Sequence, residues 1–131
     1  MDLFGRKRKR LMDAGLNLQF ALVNSFKEVY KKTYGSDPSE NERAAFQKAI
    51  LPFTIGRAVE STDNHQYDLF WSKRLEEGID DFAEAASNDR GKIALLMGFI
   101  GEIVFSETMG IRPGYEWSLV VLNKKTSQYL G

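Results

Sequence analysis

The sequence predicts a mainly α fold, a compact four-helix domain closed by a short C-terminal β-hairpin (α+β). Three observations predict it. Apolar residues recur at three- and four-residue steps through most of the chain, cap-forming residues separate these runs, and the last 20 residues turn to aromatic and β-branched types.

The elements follow in order. Leu11, Gly15, Leu18, Leu22, Phe26 and Val29 form an apolar stripe, widened by Met12, Leu16, Val23, Tyr30 and Tyr34, and Gly35 is a suitable stop. This predicts a first helix over roughly 11–34. Ser39 followed by Glu42 has the form of a capping box, so a second helix should bury Ala45, Phe46, Ala49 and Ile50 and end at Pro52. Phe53, Ile55 and Val59 suggest a further buried turn or two. The segment Ser61-Thr62-Asp63-Asn64 supplies the next caps, and Tyr67, Trp71, Leu75, Ile79, Phe82 and Ala86 make a third helix over roughly 64–87. Ser87-Asn88-Asp89 breaks and recaps the chain. From Ile93 to Phe105 the sequence is apolar on nearly every side, which predicts a central, surrounded helix closed by Gly110. Gly91, Ala94, Gly98 and Gly101 lie along one of its sides, where small residues would let another backbone approach. Arg112-Pro113-Gly114 then reads as a turn, Tyr115 to Leu122 as a strand, and Ser127 to Leu130 as its partner across Asn123-Lys124-Lys125-Thr126.

Composition bounds the chemistry. The chain has 131 residues, 43% of them hydrophobic and 27% charged, which suits one globular domain. It has no cysteine and a single histidine, His65, so thiolate nucleophiles, disulfides and multi-histidine zinc sites within one chain are excluded. No glycine-rich phosphate loop, G-x-S-x-G elbow or H-E-x-x-H motif occurs. The sequence implies no cofactor, no metal and no catalytic residue. The longest apolar stretch is shorter than the ~20 residues a membrane span needs, and the start lacks the apolar core of a signal peptide. A cytoplasmic protein, with peripheral membrane contact left open, is the expectation.

The net charge is zero, yet charge is segregated. Residues 1–10 hold five basic residues and one acid, and residues 60–84 hold eight acids and two bases. The run Arg6-Lys7-Arg8-Lys9-Arg10 opposes the dipole of any helix it opens, so residues 1–10 are expected as a basic flexible arm ahead of a single domain over 11–131. The plainer reading of the run is a solvated tail, since short basic runs are common; Met1, Leu3 and Phe4 beside it also suit a lipid headgroup region, where each near-surface base is worth ~1 kcal/mol. Nucleic acid is disfavoured, because neither a second basic patch nor interleaved aromatics accompany the run.

Asp68, Glu76, Glu77, Asp80, Asp81 and Glu84 populate the polar face of the third helix and suit a basic partner surface, against the plainer alternative of a solvated face. Glu102 interrupts the apolar fourth helix. A buried carboxylate must pair or protonate, so it reads as a structural ion pair with Arg57, Arg74 or Arg112, or as a polar anchor in a pocket with Trp71 and Trp117. His65 reads as an exposed or capping residue. Tyr67, Phe70 and Trp71 at helical spacing read as core before they read as a ligand groove.

The pattern Gly98-x-x-Gly101-Glu102, then Gly110, then Tyr115-Glu116-Trp117 resembles the ending of certain small uncharacterised bacterial domains. The likeness covers about the last third of the chain. It implies a tryptophan-bearing strand, a hairpin and a bacterial origin, and no activity, cofactor or catalytic residue.

The function expected from these features is non-enzymatic. It is an interaction domain whose acidic helix face receives a basic protein, as an inhibitor or immunity protein would. The alternatives are peripheral binding to anionic membrane or nucleic acid through the basic arm, and a small ligand-binding or enzymatic domain with Glu102 at its pocket. Self-association is left open by the hairpin edge and the glycine stripe.

Overall fold

The computed structural model describes residues 3–56, 65–105 and 116–131. Five long helices make up the described residues: α1 (Leu3–Tyr34), α2 (Glu40–Ile50), α3 (His65–Ala85), α4 (Arg90–Phe105) and α5 (Trp117–Leu130). A 3-10 turn at Leu51–Phe53 follows α2.

The boundaries follow local chemistry. α1 runs to Gly35, which takes a left-handed φ of +79° and donates its N–H to the Lys31 carbonyl. At α2 the capping box closes on both sides. Glu42 N donates to Ser39 Oγ at 3.1 Å, and Ser39 N donates to Glu42 Oε1 at 2.8 Å. The α3–α4 corner places Ser87 and Asn88 at positive φ, and Asp89 Oδ1 accepts the Lys92 N–H at 3.1 Å to cap α4.

The core is aromatic at its centre. Phe26 of α1 stacks on Phe46 of α2 at 4.2 Å, and Phe82 of α3 and Phe99 of α4 meet Phe26 edge-on at 5.8 and 5.7 Å. Such pairs add ~0.5–1.5 kcal/mol each beyond their buried area. Gly78 carries the closest helix approach: a Cβ there would lie 2.6–2.7 Å from the backbone and Cβ of Ala49, so α2 and α3 pack nearly backbone to backbone.

Side-chain contacts set the directions. Phe26 meets Phe46 and Phe99, while further along α1 Tyr30 bonds Glu42 and lies 5.5 Å from the Lys92 ammonium, so α2 and α4 both run antiparallel to α1. Arg90, at the start of α4, donates to the Leu130 carbonyl at the end of α5. At the other end Trp117 stacks on Phe53, Gly56 lies under the Trp71 indole, and Gly15 lies against the Thr54 carbonyl. One end of the bundle therefore gathers the first half of α1, the 3-10 turn, the start of α3, the end of α4 and the start of α5.

Four expectations are corrected. The segment expected to form a hairpin is helix α5, no strand occurs among the described residues, and the long helices number five rather than four. Val121, Leu122 and Lys125 are buried at helical spacing, with Trp117 and Tyr129 packed on the same core, and this stripe outweighs the local β propensity of the segment. The regular helix begins at Leu3, not near Leu11, so the basic run lies within α1. Among the described residues helix α4 is not surrounded. Ala94, Gly98, Glu102 and Phe105 face solvent, and Cβ atoms added at Gly98 and Gly101 would meet nothing within 4 Å. The predicted caps at 61–64 and the turn at Arg112-Pro113-Gly114 lie outside the described residues, as does Gly110.

Candidate functional site

The acidic face of α3 is largely occupied from within the chain. Asp80 accepts from Lys125 Nζ at 2.8 and 3.0 Å and from the Tyr129 hydroxyl at 2.6 Å. Glu76 accepts from Lys124 at 2.8 Å. Lys48 of α2 reaches Asp81 at 3.0 Å and Glu77 at 3.4 Å, and Arg74 reaches Glu77 at 3.3 Å. Lys125 is only 5% exposed, so its ammonium depends on Asp80 for compensation. Burial first, then the Asp80 hydrogen bond and charge, push the Tyr129 hydroxyl up to about 12. Hydrogen bonds to Asp81 and Glu76 likewise raise Lys48 and Lys124 above the usual lysine value. Two of these cations, Lys124 and Lys125, sit in the stretch that reads as a hairpin turn, which is why the pairing was hidden in the sequence.

Of the predicted partner-binding acids, Glu84 stays exposed with no ion pair among the described residues. It borders an open groove of about 600 Å³ between α2 and α3, lined by Asn41, Ala44, Ala45, Lys48, Asp81 and Ala85 as well. The side chain of Asp68 lies outside the described residues, as do those of His65 and Tyr67.

Glu102 is exposed on α4, which corrects the expectation of a buried pairing or pocket residue. The helix reads as apolar throughout, but only the side carrying Ile93, Leu96, Met97, Ile100, Ile103 and Val104 is buried. Of its suggested partners Arg74 is engaged by Glu77, while Arg57 and Arg112 lie outside the described residues. Trp71 and Trp117 do meet at the same end of the bundle, each half-buried on the segment from Phe53 to Gly56.

That end also carries the basic run. Arg6, Lys9 and Arg10 are exposed, and none of them has an acidic partner among the described residues. The side chains of Lys7 and Arg8 lie outside the described residues. Between Arg6 and Ala14 no described residue is buried, and the first tight contact of α1 is Gly15 on Thr54. At 1.5 Å per residue, the turns ahead of Gly15 extend ~18 Å from that contact.

Large apolar side chains are exposed at the end of the bundle from which these turns extend. Leu69 at 62% and Phe70 open α3, Phe105 at 66% ends α4, and Leu11 and Leu16 flank Gly15. Sequence reasoning missed Leu69 and Phe105 as site residues. Leu69 had a legible signal, since it stands off the Trp71–Leu75–Ile79 stripe; Phe105 had none, because the run it ends is apolar on nearly every side.

Among the described residues no helix is long and apolar enough to cross a membrane, and no three acidic or histidine side chains are placed to hold a metal ion. No family model matches the chain, and no curated protein or solved structure matches it. The likeness to small bacterial domains thus rests on the sequence pattern alone, and the hairpin it implies is a helix.

Proposed function

We propose that this chain is a non-enzymatic docking protein that attaches to a polyanionic partner through the basic first turns of α1. The observation that carries the proposal is the contrast between its two charged regions. Arg6, Lys9 and Arg10 are exposed on turns with no buried residue and have no acidic partner among the described residues. The carboxylates of Glu76, Glu77, Asp80 and Asp81 are met by Lys48, Arg74, Lys124 and Lys125. An exposed, uncompensated cation cluster keeps its electrostatic attraction for a partner, whereas internal pairing spends that of the acids. The bundle then serves as a rigid mount for the basic helix. The test is retention of the full chain on anionic supports, duplex DNA and acidic vesicles, against a triple variant Arg6→Glu, Lys9→Glu and Arg10→Glu. Retention falling steeply with salt in the parent and vanishing in the variant supports the proposal; equal retention rejects it.

A second reading keeps the acidic side of the bundle. The groove between α2 and α3 is lined by Ala44, Ala45 and Ala85, with Glu84, which has no ion pair among the described residues, at its rim, and this suits a lysine or arginine side chain from a basic protein. Replacing Glu84 by lysine should weaken capture of such a partner without loss of fold, and unchanged capture rejects the groove.

A further inference from the structure

We infer that the polyanionic partner is the surface of a lipid bilayer rich in acidic phospholipid, entered by apolar side chains at the basic end of the bundle. The inference rests on the docking proposal and adds residues from helices other than α1.

Cations alone do not choose between phosphate on nucleic acid and phosphate on lipid. The apolar side chains at that end of the bundle do. Leu69 and Phe105 are 62% and 66% exposed, from two different helices, at the end where the first half of α1 emerges. Phe70 adds a third apolar side chain, its ring 4.9 Å from the Trp71 ring. Leucine and phenylalanine in water are unfavourable in proportion to their exposed area, and a duplex backbone gives such apolar surface nothing to bury against. A bilayer interface offers anionic headgroups outside and acyl chains within ~10 Å, so it has a place for both kinds of side chain. Each basic residue near an acidic surface multiplies affinity roughly five-fold, which one apolar insertion about matches. Both tryptophans of the chain, Trp71 and Trp117, lie half-buried at this end, where their emission can report insertion. The depth is interfacial, since no described helix is long and apolar enough to cross.

The test uses the full chain with vesicles of phosphatidylcholine containing about one third phosphatidylglycerol, in parallel with duplex DNA, across a rise in salt from about 50 to 500 mM. Acyl chains brominated near the interface quench tryptophans that approach them. The expected result is vesicle binding with quenching of tryptophan emission, retained in part at high salt. Leu69→Ser with Phe105→Ser should weaken vesicle binding about thirty-fold and remove the quenching. Both sites are exposed, so the thermal midpoint should not move, which separates lost insertion from lost fold. Retention on DNA with none on vesicles overturns the lipid inference and leaves the docking proposal standing. Vesicle binding that is unquenched and indifferent to the two serines overturns insertion and leaves an electrostatic contact. Retention on neither support overturns both.

Discussion

Replacing Gly78 by alanine should unpack the bundle, while the same change at Gly98 should strengthen it. At Gly78 the added methyl would sit 2.6–2.7 Å from Ala49 N, Cα and Cβ, two of them backbone atoms that cannot rotate away. Helices α2 and α3 must separate to admit it, and overpacking of this kind costs about 1–3 kcal/mol, at the upper end when backbone must move. The better helix propensity of alanine returns just under about 1 kcal/mol, leaving a net loss of about 2 kcal/mol. At Gly98 the methyl meets nothing within 4 Å, so only the propensity gain of about 0.8 kcal/mol remains. With an unfolding entropy of about 2 cal/mol/K per residue, 1 kcal/mol moves the midpoint of a chain this long by about 4 °C. Gly78→Ala should therefore lower the melting temperature by about 8 °C, and Gly98→Ala should raise it by about 3 °C. Circular dichroism melts and urea titrations of both variants measure this. A Gly78→Ala protein as stable as the parent would refute the close α2–α3 approach, and a destabilised Gly98→Ala would mean that α4 packs against something there.

Three other outcomes follow from the polar contacts. Asp80→Asn takes the negative charge from beside the buried Lys125 ammonium, leaving it neutral acceptors such as Gln128, and should cost about 2 kcal/mol in urea unfolding, whereas Glu102→Ala, on an exposed site, should stay within about 0.5 kcal/mol of the parent. Glu42→Ala removes one arm of the capping box and leaves the Tyr30 hydroxyl without its 2.9 and 3.1 Å acceptors, so a loss of about 2 kcal/mol is expected by the same assay. The folded protein holds the Tyr129 proton to about pH 12, above the usual tyrosine value of 10.0, so its contribution is complete below pH 10 and lost as pH rises toward 12. Tyr129→Phe should flatten the decline of stability in that window without abolishing it, because Tyr30 and Lys48 are shifted upward too. A decline of unchanged steepness in pH-dependent melts would contradict the Asp80–Tyr129 contact.

The glycines show how far a sequence reaches. A run of small residues on α4 reads as a seat for a neighbouring backbone, yet among the described residues nothing comes within 4 Å of a Cβ at Gly98 or Gly101. The close approaches occur instead at Gly78 and Gly15, which stand among ordinary helical residues without any stripe around them. A glycine says that a neighbour can come near; which neighbour comes is set by the positions of whole helices. The polar residues behave alike. The Ser39–Glu42 cap was legible because both partners lie three residues apart, but Glu42 also accepts from Tyr30, twelve residues away, and no local rule predicts that.

The sequence by itself determined a helical, cysteine-free chain, its stops at Gly35 and at the Ser87–Asp89 corner, its segregated charge and most of its buried stripes. Those features depend on neighbours within a turn or two of the chain, where spacing is geometry. Only the tertiary structure decided that residues 117–130 coil rather than extend, that their lysines neutralise Glu76 and Asp80 of α3, and that Leu69 and Phe105 stay exposed. Each of those outcomes depends on partners some forty or more residues apart or on a face left uncovered, and local propensity is too weak to fix either.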